Sequence, residues 1–127
     1  MTDYGFQRLI AWQKAHEFVL AVYNATSQFP AYERRGLWSQ FTRAAVSIAA
    51  NIAEGYKKIG KPDKLRFLNI SQGSLEECRY YIILSRDLQY ITNETEQELI
   101  YKIEGASWYL NAYMQGIIDN KGIKDSL

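Results

Sequence analysis

Four side chains with hydrogen-bonding chemistry recur at spacings of four and three: Arg43, Ser47, Asn51 and Glu54. On a helix, at about 100° per residue, they share one face. Leu37, Phe41, Ala44, Ala45, Ile48, Ile52 and Gly55 share another arc of the same segment. The polar arc lacks the Lys/Glu mixture of an ordinary wet surface, so this helix is expected to meet partners on two sides. Its guanidinium, hydroxyl, amide and carboxylate could bind a ligand, contact another subunit, or form a buried network that sets helix register. The network is the expected role, with Asn69, Glu76 and Glu77 as available partners.

Other reactive residues stand alone. Gly55 to Lys61 has most of a phosphate-binding P-loop, but Pro62 stands where Ser or Thr should hold magnesium, and the segment follows a helix pattern. What survives is charge. Lys57, Lys58, Lys61, Lys64 and Arg66, against the single acid Asp63, give this segment a local charge of +4. They gather where a helix is expected to start, with its amide donors and positive dipole end, and they could contact phosphate. His16 is the only histidine, and the residue three before it is Gln13, so no Glu-x-x-His di-iron motif exists. It is expected in the core beside Trp12, Val19 and Tyr23. Cys78, the lone cysteine, excludes an internal disulfide framework and is expected to be a buried small hydrophobe. No catalytic set, metal site or cofactor site can be composed from these residues, so an enzyme is not expected.

The elements that must position these groups are helical. The 127 residues suit one domain, and only two prolines occur, Pro30 and Pro62, both between periodic segments. A first helix is expected from Gln7 to Ser27, with Trp12, His16, Val19, Tyr23 and Thr26 on one stripe. A second runs from Tyr32 or Leu37 to Lys58. A third, Pro62 to Leu88, turns Phe67, Ser71, Ser74, Leu75, Cys78, Tyr81, Ile82 and Ser85 inward. Asn93 with Glu96 resembles a capping box for a fourth. That helix repeats Leu99, Ile103, Ala106, Leu110, Tyr113 and Ile117. Short loops then predict an all-α, antiparallel up-down four-helix bundle over residues 1–119, with a tail over 120–127.

The fourth helix carries a second apolar face in Tyr101, Trp108, Tyr109 and Ala112. One core cannot bury both sides of a helix, so Tyr101, Trp108 and Tyr109 are the expected oligomer interface. Net charge is +1, with −3 over Glu94–Glu104, so no global basic field draws the chain to nucleic acid. The start lacks a basic-then-apolar signal pattern, no run approaches membrane-spanning length, and a cytoplasmic location is expected.

Arg43–Gly55, with Phe67–Glu77 downstream, resembles the bacterial four-helix-bundle family of 23S ribosomal RNA intervening-sequence proteins. Leu9–Ala15 resembles that family's opening helix, and Phe29-Pro30, Gly36-Leu37 and Ser39-Gln40 resemble its first loop and second-helix start. The match runs from about Leu9 to Tyr113. The resemblance implies four-helix protomers, some assembling into five-fold rings. It also implies kinship with accessory proteins of diversity-generating retroelements, which bind nucleic acid and a reverse transcriptase through a basic ring surface. No reaction is established for the family. Ala49 stands where many members have proline, and Ser71 replaces a usual alanine. The combined expectation is a non-enzymatic homo-oligomer, larger than a dimer and with a pentamer favoured. It would touch RNA, DNA or a nucleic-acid enzyme through Lys57, Lys58, Lys61, Lys64 and Arg66. No cofactor, small-molecule substrate or membrane is expected. The alternative is a structural or protein-interaction bundle with no nucleic-acid partner.

Overall fold

The chain was described as a computed structural model covering residues 3–120. Its four α-helices are α1 (Ile10–Thr26), α2 (Leu37–Lys57), α3 (Lys61–Asp87) and α4 (Asn93–Asp119), with short 3-10 turns at Phe6–Arg8 and Ala31–Glu33. The expected tail lies outside the described residues apart from Asn120. Among the described residues, α1 packs on α2 and α4, and α3 packs on α2 and α4, while neither diagonal pair makes a close backbone approach. This is the up-down square expected of four helices joined by short connections.

The core follows the helical period. All seven residues of the apolar arc of α2 are buried, from Leu37 to Gly55. From α4 come Leu99, Ile103, Ala106 and Leu110, and from α3 Leu68, Leu75, Cys78 and Ile82. In α1 the buried residues are Ala11, Ala15, Phe18, Val19, Val22, Ala25 and Thr26, so the inward face is rotated from the expected stripe and shares only Val19 and Thr26 with it. Trp12 is only half-buried and Tyr23 is exposed. Ala11, Ala15, Val22 and Ala25 line the core around fully buried Phe18, while Trp12, His16 and Tyr23 sit at the rim or in solvent.

The ends of the helices have specific causes. Gly60 precedes α3, and Pro62 lies in the first helical turn, where its missing N–H is no loss. Lys64 Nζ donates to the Tyr56 carbonyl at 2.7 Å, an oxygen at the end of α2, and at 3.5 Å to the Gly55 carbonyl, which also accepts the Lys58 N–H. Gly55 allows this close approach: a Cβ there would lie 3.3 Å from the Lys64 carbonyl, Phe67 Cβ and Leu68 Cδ2. At the other end, α3 closes on Gln89 with φ +63°. Tyr90 N–H bonds Ser85 O at 2.9 Å and Gln89 N–H bonds Arg86 O at 3.0 Å, the paired closure of a left-handed helix end. The cap of α4 is Thr92 rather than the expected Asn93. Its hydroxyl accepts from Thr95 N–H at 3.1 Å, because a Thr side chain one residue earlier reaches the third amide of the helix.

Candidate interaction surface

The polar face of α2 divides in two. Asn51 Nδ2 donates to Ser47 O at 2.9 Å and Ser47 Oγ at 3.0 Å, and Ser74 Oγ donates to Ser47 Oγ at 2.8 Å. Beside them, fully buried Ser71 donates to Ile48 O at 2.8 Å. These bonds stitch α2 to α3 with hydroxyls. Arg43 and Glu54 do not join them: both are exposed, because their positions on α2 turn past the α3 seam toward solvent. The expected partners differ as well. Asn69 is exposed, Glu76 pairs with Arg79, and Glu77 accepts from Tyr81 Oη at 2.8 Å. Burial and that carboxylate push the Tyr81 phenol up to about 12.

The five expected phosphate-binding residues share the α2–α3 corner, but most have local partners. Lys58 and Arg66 both lie over the Phe67 ring, at 4.8 and 4.6 Å. Arg66 also pairs with Asp63 at 3.6 Å. Lys61 donates to Asn120 O, and Lys64 serves the end of α2. Lys57 points outward and is exposed. A cleft of about 280 Å³ opens beside this corner, lined by Leu9, Tyr56, Ile59 and Tyr113 among others.

The outer side of α4 presents its aromatic groups to solvent. Tyr101 is 82% exposed and Trp108 66%, while Tyr109 is half-buried against the core and meets Trp108 edge-on at 4.9 Å. A Cβ on Gly105 would meet nothing within 4 Å, so the helix surface between Tyr101 and Trp108 is open. At the α3 side of this helix, Arg79 forms a two-pronged pair with Glu104 at 2.9 and 2.7 Å, and Gln72 bonds Asn111 at 2.8 Å.

The isolated reactive residues do not combine. His16 is exposed, not buried in the core, and stacks on Trp12 with ring centroids 4.9 Å apart. The rotation of the α1 stripe explains this, since it turns residue 16 outward. Cys78 is buried, and desolvation pushes its thiol well above the ordinary range, so it stays protonated and unreactive. Among the described residues, no group of three or more His, Cys, Asp or Glu gathers at metal-binding distance. No described helix is long and apolar enough to cross a membrane.

One polar cluster has no short-range sequence signal. Glu33 accepts from Leu37 N–H at 2.9 Å and from Tyr90 Oη at 2.7 Å, and Tyr90 Oη lies 3.1 Å from Tyr32 Oη. It caps α2 and clasps the α1–α2 and α3–α4 connections together. The two hydrogen bonds, the backbone one foremost, hold the Glu33 carboxyl below its usual range. Gly36 makes room for it, since a Cβ there would stand 2.6 Å from Glu33 Oε1.

Together these features define an antiparallel four-helix bundle with a hydroxyl-laced α2–α3 seam and an aromatic outer face on α4. The 23S rRNA-intervening sequence protein family matches residues 7–112, and the chain belongs to that family. A solved structure of similar fold is that of a protein of unknown function from the S23 ribosomal protein family of Bacteroides thetaiotaomicron VPI-5482. It aligns with a TM-score of 0.76 at 22% identity, over 84% of this chain and 99% of that one. No curated protein matches the sequence.

Proposed function

We propose that this protein is a non-catalytic interaction module that self-associates through the outer face of α4. The observation that carries this reading is the exposure of Tyr101 and Trp108 on the side of α4 opposite buried Leu99, Ile103 and Leu110. A helix apolar on both sides leaves one side without a partner inside its own bundle, and exposed aromatic patches favour interfaces. A pentamer is the favoured size, and the cytoplasm the favoured compartment. Light scattering on the intact chain at micromolar concentration tests it. The expected mass is several times 14.7 kDa, with Trp108→Ala shifting the population toward monomer. A clean monomer for wild type would overturn it.

A second reading adds nucleic acid as a partner of the same module. It is favoured by the gathering of Lys58 and Arg66 over the Phe67 ring, with exposed Lys57 and with Lys61 and Lys64 at the same corner. Repetition of that corner in an oligomer would add avidity to individually weak phosphate contacts. A gel shift with single- and double-stranded RNA and DNA across a salt series tests it. Lys57→Gln with Lys58→Gln and Arg66→Gln should lower the salt slope by about one per phosphate contact removed. Unchanged slope and affinity would place the contacts elsewhere.

A further inference from the structure

The outer face of α4 has a definite counterpart on the same chain. Tyr101, Gly105, Trp108, Ala112, Gln115 and Asp119 follow one another at intervals of four and three. All but half-buried Gly105 are exposed. On the outer side of α2, Ser39, Arg43, Val46, Ala50, Ala53 and Lys57 keep the same alternation. Val46 is 40% exposed, and Arg43, Ala50 and Lys57 are exposed too. At that spacing the apolar members, Tyr101, Trp108 and Ala112 on α4 and Val46, Ala50 and Ala53 on α2, are aligned to sit between the side chains of a second helix. The exposed members of both seams are left uncovered by the bundle, in which α2 and α4 lie on a diagonal with no close backbone approach. Their outer faces therefore lie on different sides of the bundle.

The two seams also stand at the same height. Ser74 bonds Ser47 across the α2–α3 interface, and Gln72 bonds Asn111 across α3–α4. Ser74 lies two residues beyond Gln72 on α3, and α4 runs the other way, so Ser74 and Ser47 are level with Tyr109. Both α2 and α4 run antiparallel to α3 and hence parallel to each other. Val46 is then level with Trp108, Ala50 with Ala112, and Lys57 with Asp119. Rotation about an axis along the bundle preserves height, so it would bring these same pairs together between neighbouring copies in a closed ring. Charge agrees with this register. Exposed Arg34 and Arg35 begin the α2 side, exposed Glu94 and Glu98 begin the α4 side, and Lys57 and Asp119 close the far end. An α4-to-α4 contact in parallel would instead oppose Glu94 and Glu98 to their own copies.

We propose that the occupant of the α4 outer face is the α2 outer face of a second copy, joined head to tail, with Trp108 seated against Val46 and Ala50. This rests on the self-association proposed above and assigns its second surface.

The test uses two full-length variants, Trp108→Arg on the α4 face and Ala50→Arg on the α2 face, each with helicity checked by circular dichroism. Wild type should assemble, and each variant alone should remain a monomer. Mixed in equal amounts they should form a dimer, about twice 14.7 kDa, because each still offers one intact face. If Trp108→Arg unfolds the chain, Ala112→Arg on the same seam takes its place. An Ala50→Arg variant that assembles like wild type overturns the proposal while leaving self-association through α4 standing. Two monomeric variants whose mixture stays monomeric also overturn it. A monomeric wild type fails the underlying reading itself.

Discussion

Ser47 is the hub of the α2–α3 seam, and its removal has a calculable cost. Ser47→Ala deletes the acceptor of the 2.8 Å bond from Ser74 and of the 3.0 Å bond from Asn51. A neutral hydrogen bond contributes about 1 kcal/mol net, and less where water can replace it. Ser47 and Asn51 are half-buried, so about 0.5–1 kcal/mol per bond is the appropriate range. Alanine returns roughly 0.5 kcal/mol through its higher helix propensity. The expected net destabilisation is therefore about 0.5–1.5 kcal/mol. A double-mutant cycle with Ser74→Ala removes the propensity contribution and isolates the interhelix bond, whose coupling should be about 0.5–1 kcal/mol. Urea denaturation followed by far-ultraviolet circular dichroism measures all four proteins, at one fixed concentration because association shifts apparent stability. A coupling indistinguishable from zero would refute the view that these hydroxyls hold the two helices in register.

Arg43→Ala and Glu54→Ala should each change stability by no more than about 0.5 kcal/mol, since both side chains are exposed; a loss above about 1 kcal/mol in urea titration would contradict their placement. Gln89→Gly should stabilise the chain by roughly 1 kcal/mol, because the φ of +63° strains a side-chain-bearing residue and suits glycine; a lowered melting temperature would count against it. The thiol of Cys78 should resist a thiol reagent in the native protein and react promptly in denaturant, as its burial and raised protonation demand. Glu33, held below its usual range, contributes stability above the ordinary carboxylate pKa and loses it as pH falls through its lowered folded value. Glu33→Gln should reduce the loss of melting temperature on acidification below the ordinary carboxylate pKa, and an unchanged acid profile would exclude that role.

The sequence by itself determined the elements and most of the core. Helix periodicity is local, so the apolar arc of α2 could be read residue by residue, and so could the inward residues Leu99, Ile103, Ala106 and Leu110 of α4. The second apolar side of α4 was legible for the same reason: Tyr101 and Trp108 break a pattern that one core would impose. Which side of α1 turns inward was not legible. Trp12, His16, Val19, Tyr23 and Thr26 form as regular a stripe as Ala11, Ala15, Phe18, Val22 and Ala25; Val19 and Thr26 are buried with the second set, and only packing against α2 and α4 decides that Trp12, His16 and Tyr23 turn away from the core. Asn51 and Ser47 could be placed on one face, but their partner Ser74, and the exclusion of Arg43 and Glu54, depend on how α3 lies across α2. The clasp between Glu33 and Tyr90 joins residues 57 apart in the chain. A hydrogen bond of that span is made by the meeting of two loops, and no local pattern encodes where loops meet.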